Sequence, residues 1–364
     1  MIKVLHFGLD SKLGGIETYL HKLYTEIDRE QFQFDFLVVG DKEPCWYEEF
    51  TSMGSEFFHV TPRNQNPIKN KKQIERILEE NHFDVVHCHL NTLSYITPVS
   101  VSIKKNVPVI VHSRNAGASK SLITNILHKM NSKFLAKGRI EKIAVSGLAG
   151  EWLFGEKEKF TIFNNGLDIE KYSYNENARK KIRNELELNE DFVVMHLGAM
   201  RPQKNHMFIL DIFQEIVQIK ENAKLLLVGD GVLKEEIVQK INYFNLTDKV
   251  LIVGNRNDVS DLLSASDSFL FPSVFEGFPN AVLEAETSGL PCLISEEITN
   301  EVVINNNCLS FSLDKTAKEW AEKLISLPSF EDRKSGAKNI ETNGFSVKDE
   351  IKKIENLYVN LSRK

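Results

Sequence analysis

The stretch FPSVFEGFPNAVLEAETSGLP, residues 271–291, carries two carboxylates, Glu276 and Glu284, eight positions apart around a tight turn. SFLFPS reads as a strand ending at Pro272, and VFEGFPN as a turn in which Gly277 permits close backbone approach. AVLEAETS reads as a helix with Asn280 as its N-cap and Gly289 as its stop. The amides of residues 280–283, Ala281 among them, then offer an anion site. Carboxylates beside such a site cannot ligate a phosphate. They suit hydroxyl donors, which sugars and ribose present.

A second stretch, LGAMRPQKNHMFIL (197–210), places Arg201 and Lys204 in the loop or first turn of a helix that follows a buried strand. Cations at a helix N-terminus oppose its dipole, so mere solvated charge is the weaker reading. A pair that neutralises a departing diphosphate is the stronger one. A nucleoside diphosphate with sugars at both ends satisfies the whole constellation.

Three further patterns leave alternatives open. HFGLDSKLGGIETYLHKLY (6–24) is a strand, a loop with Gly8, Gly14 and Gly15, and an amphipathic helix. It matches neither G-x-G-x-x-G nor a Walker A loop, so a phosphate-binding loop and an ordinary tight turn both stand. DVVHCHL puts His87 and His89 on one strand face, and VHSRN ends another strand at His112. Zinc needs further ligands in register, so cleft-lining or loop-bonding histidines are the simpler reading, no metal is expected, and His112 at a strand end is the better functional candidate. SKSLITNILHKMNSKFLAKG spaces Leu122, Ile123, Ile126, Leu127, Met130, Phe134 and Leu135 along one side, with Lys129, Lys133 and Lys137 on or near the other. That is a helix packed on a sheet by its apolar face, or a contact with anionic lipid, and the two can coexist.

The elements that must hold these residues follow from periodicity. Short apolar runs alternate with helical patterns along all 364 residues, the signature of βα units and parallel sheets. Strands are expected at IKVLHF, FQFDFLVV, EFFHV, DVVHCH, VPVIVHS, KIAVS and FTIFN, then at FVVMHLG, KLLLVGD, KVLIVG, SFLFPS and PCLIS. A polar segment over residues 167–190 separates the halves. The expected fold class is therefore α/β, with two Rossmann-like domains that bind ligands at the C-terminal ends of their strands, in a cleft between them. The last segment, FSVKDEIKKIENLYVNLS, sets Ile351, Ile354, Leu357, Tyr358 and Leu361 on one helical stripe that must dock.

Composition narrows the class. Apolar residues at 42% against 26% charged exclude a mainly disordered chain. Cys45, Cys88, Cys292 and Cys308 are scattered without paired spacing, which points to a reducing compartment. No leader-like or membrane-spanning run is evident, so a cytoplasmic protein is expected. The net charge of −6 is uneven: residues 1–165 hold 21 Lys+Arg against 19 Asp+Glu, a balance of +2 that leaves −8 for the rest. From Lys104 to Lys142 nine basic residues face one acidic residue, Glu141, so this segment should seek an anionic membrane surface. Nucleic acid is not an expected partner, and there is no solenoid repeat.

Taken in order, GGIETY, DVVHCH, VHSRN, AVSG, FNNGLD, the KNH of RPQKNH, LLLVGDG and FPSVFEGFPNAVLEAETSGLP resemble the retaining nucleotide-sugar glycosyltransferases of family 4, and within them the capsular and exopolysaccharide enzymes. The likeness covers nearly the whole chain, and Glu276 and Glu284 in this context are its most specific part. It implies the GT-B fold, with residues 1–167 and a returning C-terminal helix, 346–364, as acceptor domain and 168–345 as nucleotide-sugar domain. Lys204 would then hold the donor phosphates. Glu276 would accept from hydroxyls of the transferred sugar, beside the amides of Gly277 and Phe278, and Glu284 would bind the ribose. Gly14 and Gly15 would lie against the diphosphate, with Gly198, Gly229, Gly254, Asn255, Asn280 and Ala281 also at the nucleotide. The backbone of VGNRNDV would cradle a uracil, and His112 would sit near the reacting centre. Asn165 and Gly166 would mark the end of the first domain.

The implied reaction moves a sugar from a UDP-sugar to a hydroxyl of a lipid-linked saccharide with retention, without an essential divalent metal, at the inner face of the membrane. The family's arginine directly after the glycine of the first C-domain strand is replaced here by Ala199, and Arg201 comes two residues later. That departure keeps an accessory subunit with weakened activity as an alternative, beside a sugar-nucleotide epimerase.

Overall fold

The computed structural model describes residues 1–117, 121–135 and 140–363. It divides into two units, Met1–Asn165 with Lys348–Lys364 and Gly166–Val347. Both breaks lie within two residues of the expected ones, and the offset has a local cause. The Leu167 amide donates to the Phe345 carbonyl at 2.8 Å and the Val347 amide to the Leu167 carbonyl at 2.9 Å, which ties the edges of the second unit to each other.

In the first unit the strands are β1 Ile2–Phe7, β2 Phe32–Val39, β3 Phe57–Val60, β4 Val85–Leu90, β5 Val109–Ser113, β6 Glu141–Ala144 and β7 Thr161–Ile162. They form a parallel sheet in the order β3-β2-β1-β4-β5-β6-β7. Every residue of β4 and β5 is buried, as expected of strands covered on both faces. Chain direction across the sheet reverses between β1 and β4, where α/β sheets place their ligand crevices. The helix Val347–Ser362 docks on this unit with Ile351, Ile354, Tyr358 and Leu361 buried. Lys22 Nζ pairs with the buried Glu350 at 2.5 Å, and the Tyr358 ring meets Phe32 and Phe34 edge-on or tilted at about 6 Å.

The helix Leu122–Leu135 is turned the other way from a helix packed by its apolar side. Its buried residues are His128 and Leu135, while Leu122, Ile123, Ile126, Met130 and Phe134 are 78%, 71%, 59%, 65% and 41% exposed. Polar bonds hold the inward face. His128 Nδ1 accepts from the Leu93 amide at 3.1 Å, its Nε2 lies 3.2 Å from the Trp152 carbonyl, and Asn131 donates to the Leu93 carbonyl. Hydrophobic periodicity locates such a helix but cannot tell which side a hydrogen-bonding histidine will pull inward. Lys120, Lys137 and Arg139 of the basic segment lie outside the described residues.

In the second unit β8 Phe192–Leu197, β9 Ala223–Val228, β10 Val250–Gly254, β11 Ser268–Phe271, β12 Cys292–Ser295 and β13 Cys308–Phe311 form a parallel sheet in the order β10-β9-β8-β11-β12-β13. Its core joins Val194, Leu225, Leu227, Leu270 and Leu293 of the strands to Phe213, Ile216 and Trp320 of the covering helices. β13 is absent from the sequence-based expectation. It is a short edge strand, only its first residue fully buried, that follows the polar run Asn305–Asn307 and so shows no apolar signal. The direction reverses between β8 and β11, so the loops after these two strands meet at the switch point.

Candidate functional site

The loop after β8 is shaped by close backbone packing. Gly229, at φ +129°, lies so near β8 that a Cβ there would fall 2.3 Å from the Gly198 carbonyl oxygen. A Cβ on Gly198 would in turn sit 3.0 Å from the Lys204 stem, so the lysine is laid along the glycine. The turn Pro202–Lys204 is stitched to the loop after β11. Gln203 donates to the Phe275 carbonyl at 2.8 Å, the Val274 amide to the Gln203 carbonyl at 2.9 Å, and Asn205 to the Pro272 carbonyl at 3.2 Å. These bonds bring Lys204 Nζ to 2.7 Å from Glu276 Oε1 and 4.5 Å from the Phe271 ring centre, with both charged side chains mostly enclosed. Arg201 caps the same turn but is exposed and forms no ion pair among the described residues.

After Glu276, Gly277 leads to Phe278, which is buried and stacks on Phe345. The helix Asn280–Thr287 has Pro279 as its cap: the Pro279 carbonyl accepts from Val282 and Leu283, so Asn280 and Ala281 are its first two helical residues rather than Asn280 the cap. Glu284, about one turn on, retains some surface but is closely surrounded, and burial pushes its carboxyl up to about 7. The Tyr172 hydroxyl donates to it, and Lys171 and Lys204 pull in the opposite direction. Glu286, on the same helix, is fully buried and serves the fold: it accepts from the amides of Ile304 and Asn305, at 3.2 and 2.7 Å.

Around Lys204 several buried polar atoms lack a hydrogen-bond partner among the described residues: His196 Nε2, His206 Nδ1 and Ser273 Oγ. Burial first, and the Lys204 ammonium second, lower His206 to about 4, so it is a neutral ring at ordinary pH. Unpaired buried polar groups beside a lysine and a carboxylate mark a place built for a polar ligand. Gly254, at the end of β10, accepts the Gly229 amide bond, and Asn255 beyond it is exposed. Tyr172, His196, His206 and Ser273 were not named from the sequence. His196 and Ser273 stand at or just past the ends of β8 and β11, which is the one signal that could have found them.

In the first unit Gly14 caps the helix Gly15–Glu26, and Glu17 on its first turn is buried and accepts from the Asp10 amide at 3.0 Å. Gly15 is exposed with open space at its Cα. His112 is not at an open rim. It is fully buried, as are His6, His87 and His89, because the register sets His6 beside His87 and His89 beside His112 on adjacent strands. His6, His87 and His89 offer ring nitrogens within 4.8 Å of one another. Bonds between rings, and the Arg114 guanidinium acting on His87, His89 and His112, describe a neutral hydrogen-bonded cluster; burial holds all four well below the usual imidazole range.

Two doubly wound parallel units, one with a lysine–carboxylate pair at its switch point and a second acid on the following helix, define the GT-B class of glycosyltransferase. Family models agree: residues 13–171 match "Glycosyltransferase Family 4" and residues 191–329 match "Glycosyl transferases group 1". The chain is 30% identical over 338 residues, 88% of its length and 86% of the relative's, to "Putative glycosyltransferase EpsF" of Bacillus subtilis (strain 168). It is 26% identical, over 99% of its length and 97% of the relative's, to the Escherichia coli "UDP-Gal:alpha-D-GlcNAc-diphosphoundecaprenol alpha-1,3-galactosyltransferase". Anabaena HepE, solved with UDP and glucose, shares the fold at a TM-score of 0.79 and 19% identity, over 99% of this chain and 100% of that one. The chain belongs to the glycosyltransferases of family 4.

Proposed function

We propose that this glycosyltransferase moves a hexose or N-acetylhexosamine from a UDP-sugar to a hydroxyl of a lipid-linked saccharide in the synthesis of a cell-surface polysaccharide, with retention and without an essential divalent metal. The observation that carries this reading is the Lys204–Glu276 pair, 2.7 Å apart, where the loops after β8 and β11 meet. The lysine is there to exchange its carboxylate for the donor phosphates, and Glu276 is then released to accept from hydroxyls of the transferred sugar. Glu284 grips the ribose. Charge on the departing diphosphate is met by Lys204, by Arg201 swinging in from its exposed position, and by the first amides of the helix Asn280–Thr287. The sugar C1–O bond to the diphosphate breaks as the acceptor oxygen bonds C1 on the same face, and the acceptor proton passes to the departing phosphate oxygen. A diphosphoundecaprenol-linked acceptor for the E. coli relative and UDP with glucose in HepE support the substrate classes.

The exposed apolar stripe of the helix Leu122–Leu135, flanked by exposed Lys129 and Lys133, supports work at an anionic membrane surface. Among the described residues no helix is long and apolar enough to cross a membrane. The reading is tested by incubating the protein with a panel of UDP-sugars and a diphospholipid-linked saccharide, following UDP release and the anomeric configuration of the product. Sugar transfer with retained configuration, undiminished by a chelator, is expected. Inversion, or full dependence on manganese, contradicts the corresponding part.

A further inference from the structure

The buried histidines of the first unit contain a chain of hydrogen bonds whose direction is determined by chemistry. Arg114 Nη1 lies 3.2 Å from His112 Nε2, His112 Nδ1 lies 3.2 Å from His87 Nε2, and His87 Nδ1 lies 2.7 Å from the hydroxyl of Tyr358. A guanidinium only donates, so His112 Nε2 must accept. A neutral imidazole with an accepting Nε2 carries its proton on Nδ1, so His112 donates to His87 Nε2. His87 then carries its own proton on Nδ1 and donates to the Tyr358 oxygen. The neighbouring pair, His6 Nδ1 and His89 Nε2 at 3.1 Å, has no such anchor: His6 Nε2 and His89 Nδ1 have no partner among the described residues, and either ring can be the donor.

We infer that Tyr358, 271 residues from His87 in the chain, and His87 itself are positioning residues that, with Arg114, lock His112 as the Nδ1–H tautomer with its Nε2 lone pair turned to the guanidinium. Arg114 is held from two sides, by that lone pair and by the Tyr19 ring 3.8 Å from its guanidinium carbon. It is partly exposed, stands just past the C-terminal end of β5, and forms no ion pair among the described residues. His112 is therefore the holder of Arg114, and Arg114 is the partly exposed group of this pair, the one placed to offer its further donors to an anionic or hydroxyl-rich substrate. The last helix thus contributes a side chain to the wiring of the first unit. The tautomer assignment is independent of the function proposed above; its effect on turnover rests on that reading.

The test is a two-bond proton–nitrogen correlation spectrum of the full-length protein labelled with 15N-histidine, with His87 and His112 assigned by single substitutions. Wild type is expected to show both rings with a protonated Nδ1 and an unprotonated Nε2. In Tyr358→Phe the acceptor for His87 is gone while Arg114 still fixes His112, so the His87 Nδ1 signal should shift with the loss of its acceptor and His112 should keep its proton on Nδ1. In the same variant turnover should fall several-fold, while the affinity for UDP, read separately by calorimetry, stays within two-fold. A wild-type His112 protonated on Nε2, or unchanged histidine signals in a folded Tyr358→Phe protein, overturns the inference. Should that variant not fold, the wild-type spectrum alone decides. Retained tautomers with no sugar transfer by wild type would strike the proposed function and leave the wiring intact.

Discussion

Lys204 and Glu276 neutralise each other at 2.7 Å in the free protein, and that contact defines what each must give up to act. In the proposed reaction Lys204→Ala removes the main cation that meets the leaving group, and the expected loss in kcat is on the order of 10²–10³-fold, read as UDP released per enzyme in the presence of acceptor. Lys204→Arg should recover only part of it, because a planar fork does not replace a point charge laid along Gly198. Glu284 gives a pH signature. Burial pushes its carboxyl up to about 7, and the ionised form is the stronger acceptor for the two ribose hydroxyls of the proposed complex, so UDP affinity should weaken as pH falls through 7. Glu284→Gln should bind UDP more weakly at pH 8 and lose this dependence, as measured by titration calorimetry at several pH values.

The same carboxyl also has a stability consequence of definite sign. Its pKa is raised in the folded state, so the folded form binds more protons than the unfolded one between the usual carboxylate range and about 7. Stability from this group is complete below that window and is lost as pH rises through it. Glu284→Gln is therefore expected to raise the thermal midpoint at pH 8 and leave it nearly unchanged at pH 4, a trade of stability for binding. An equal shift at both pH values would show that ionisation is not the cause.

At the scale of elements, the helix Leu122–Leu135 presents its apolar stripe outward and its histidine inward. Ile126→Glu combined with Met130→Glu should abolish flotation with anionic liposomes while leaving transfer to a short-chain soluble acceptor unchanged, since neither side chain bonds the sheet. Indifference of wild type to lipid charge would contradict the membrane role. Sequence reading singles out residues that stand in contiguous patterns. Lys204, Glu276 and Glu284 were legible because a strand end, a glycine turn and a helix start lie next to each of them in the chain. Tyr172 was not legible, because only the fold carries it to Glu284. Arg114 stood in VHSRN beside the chosen His112, yet its place became visible only when Tyr19 and the buried ring were seen around it. The outward turn of Leu122–Leu135 is one of the two readings its pattern allows, because hydrophobic periodicity reports a face and not what will cover it, while the edge strand β13 shows no apolar signal to read.

At the scale of the whole molecule, the chain begins and ends in the same unit. Ile354 and Tyr358 are fully buried there, and Glu350 receives Lys22. Removing residues 348–364 uncovers aromatic strand surface and unpairs the His87 donor, each a costly change. Hydrogen exchange on the truncated protein should show protection lost across residues 1–165 and kept in residues 166–347. Uniform retention of protection would mean that the last helix is a surface attachment. The parallel βα order of both units is readable along most of the chain, as alternation of apolar runs and helical stripes, because strands such as β4 and β5 are short and buried on both faces, whereas the edge strand β13 is not.

The central claim is that the second unit binds a uridine diphosphate through Lys204 and Glu284, and titration of UDP into the full chain by calorimetry tests it most directly. A saturable one-to-one heat is predicted, weakened at least ten-fold in Lys204→Ala and, at pH 8, in Glu284→Gln. A folded wild-type protein that gives no heat with UDP, or variants that bind it as wild type does, would contradict the account.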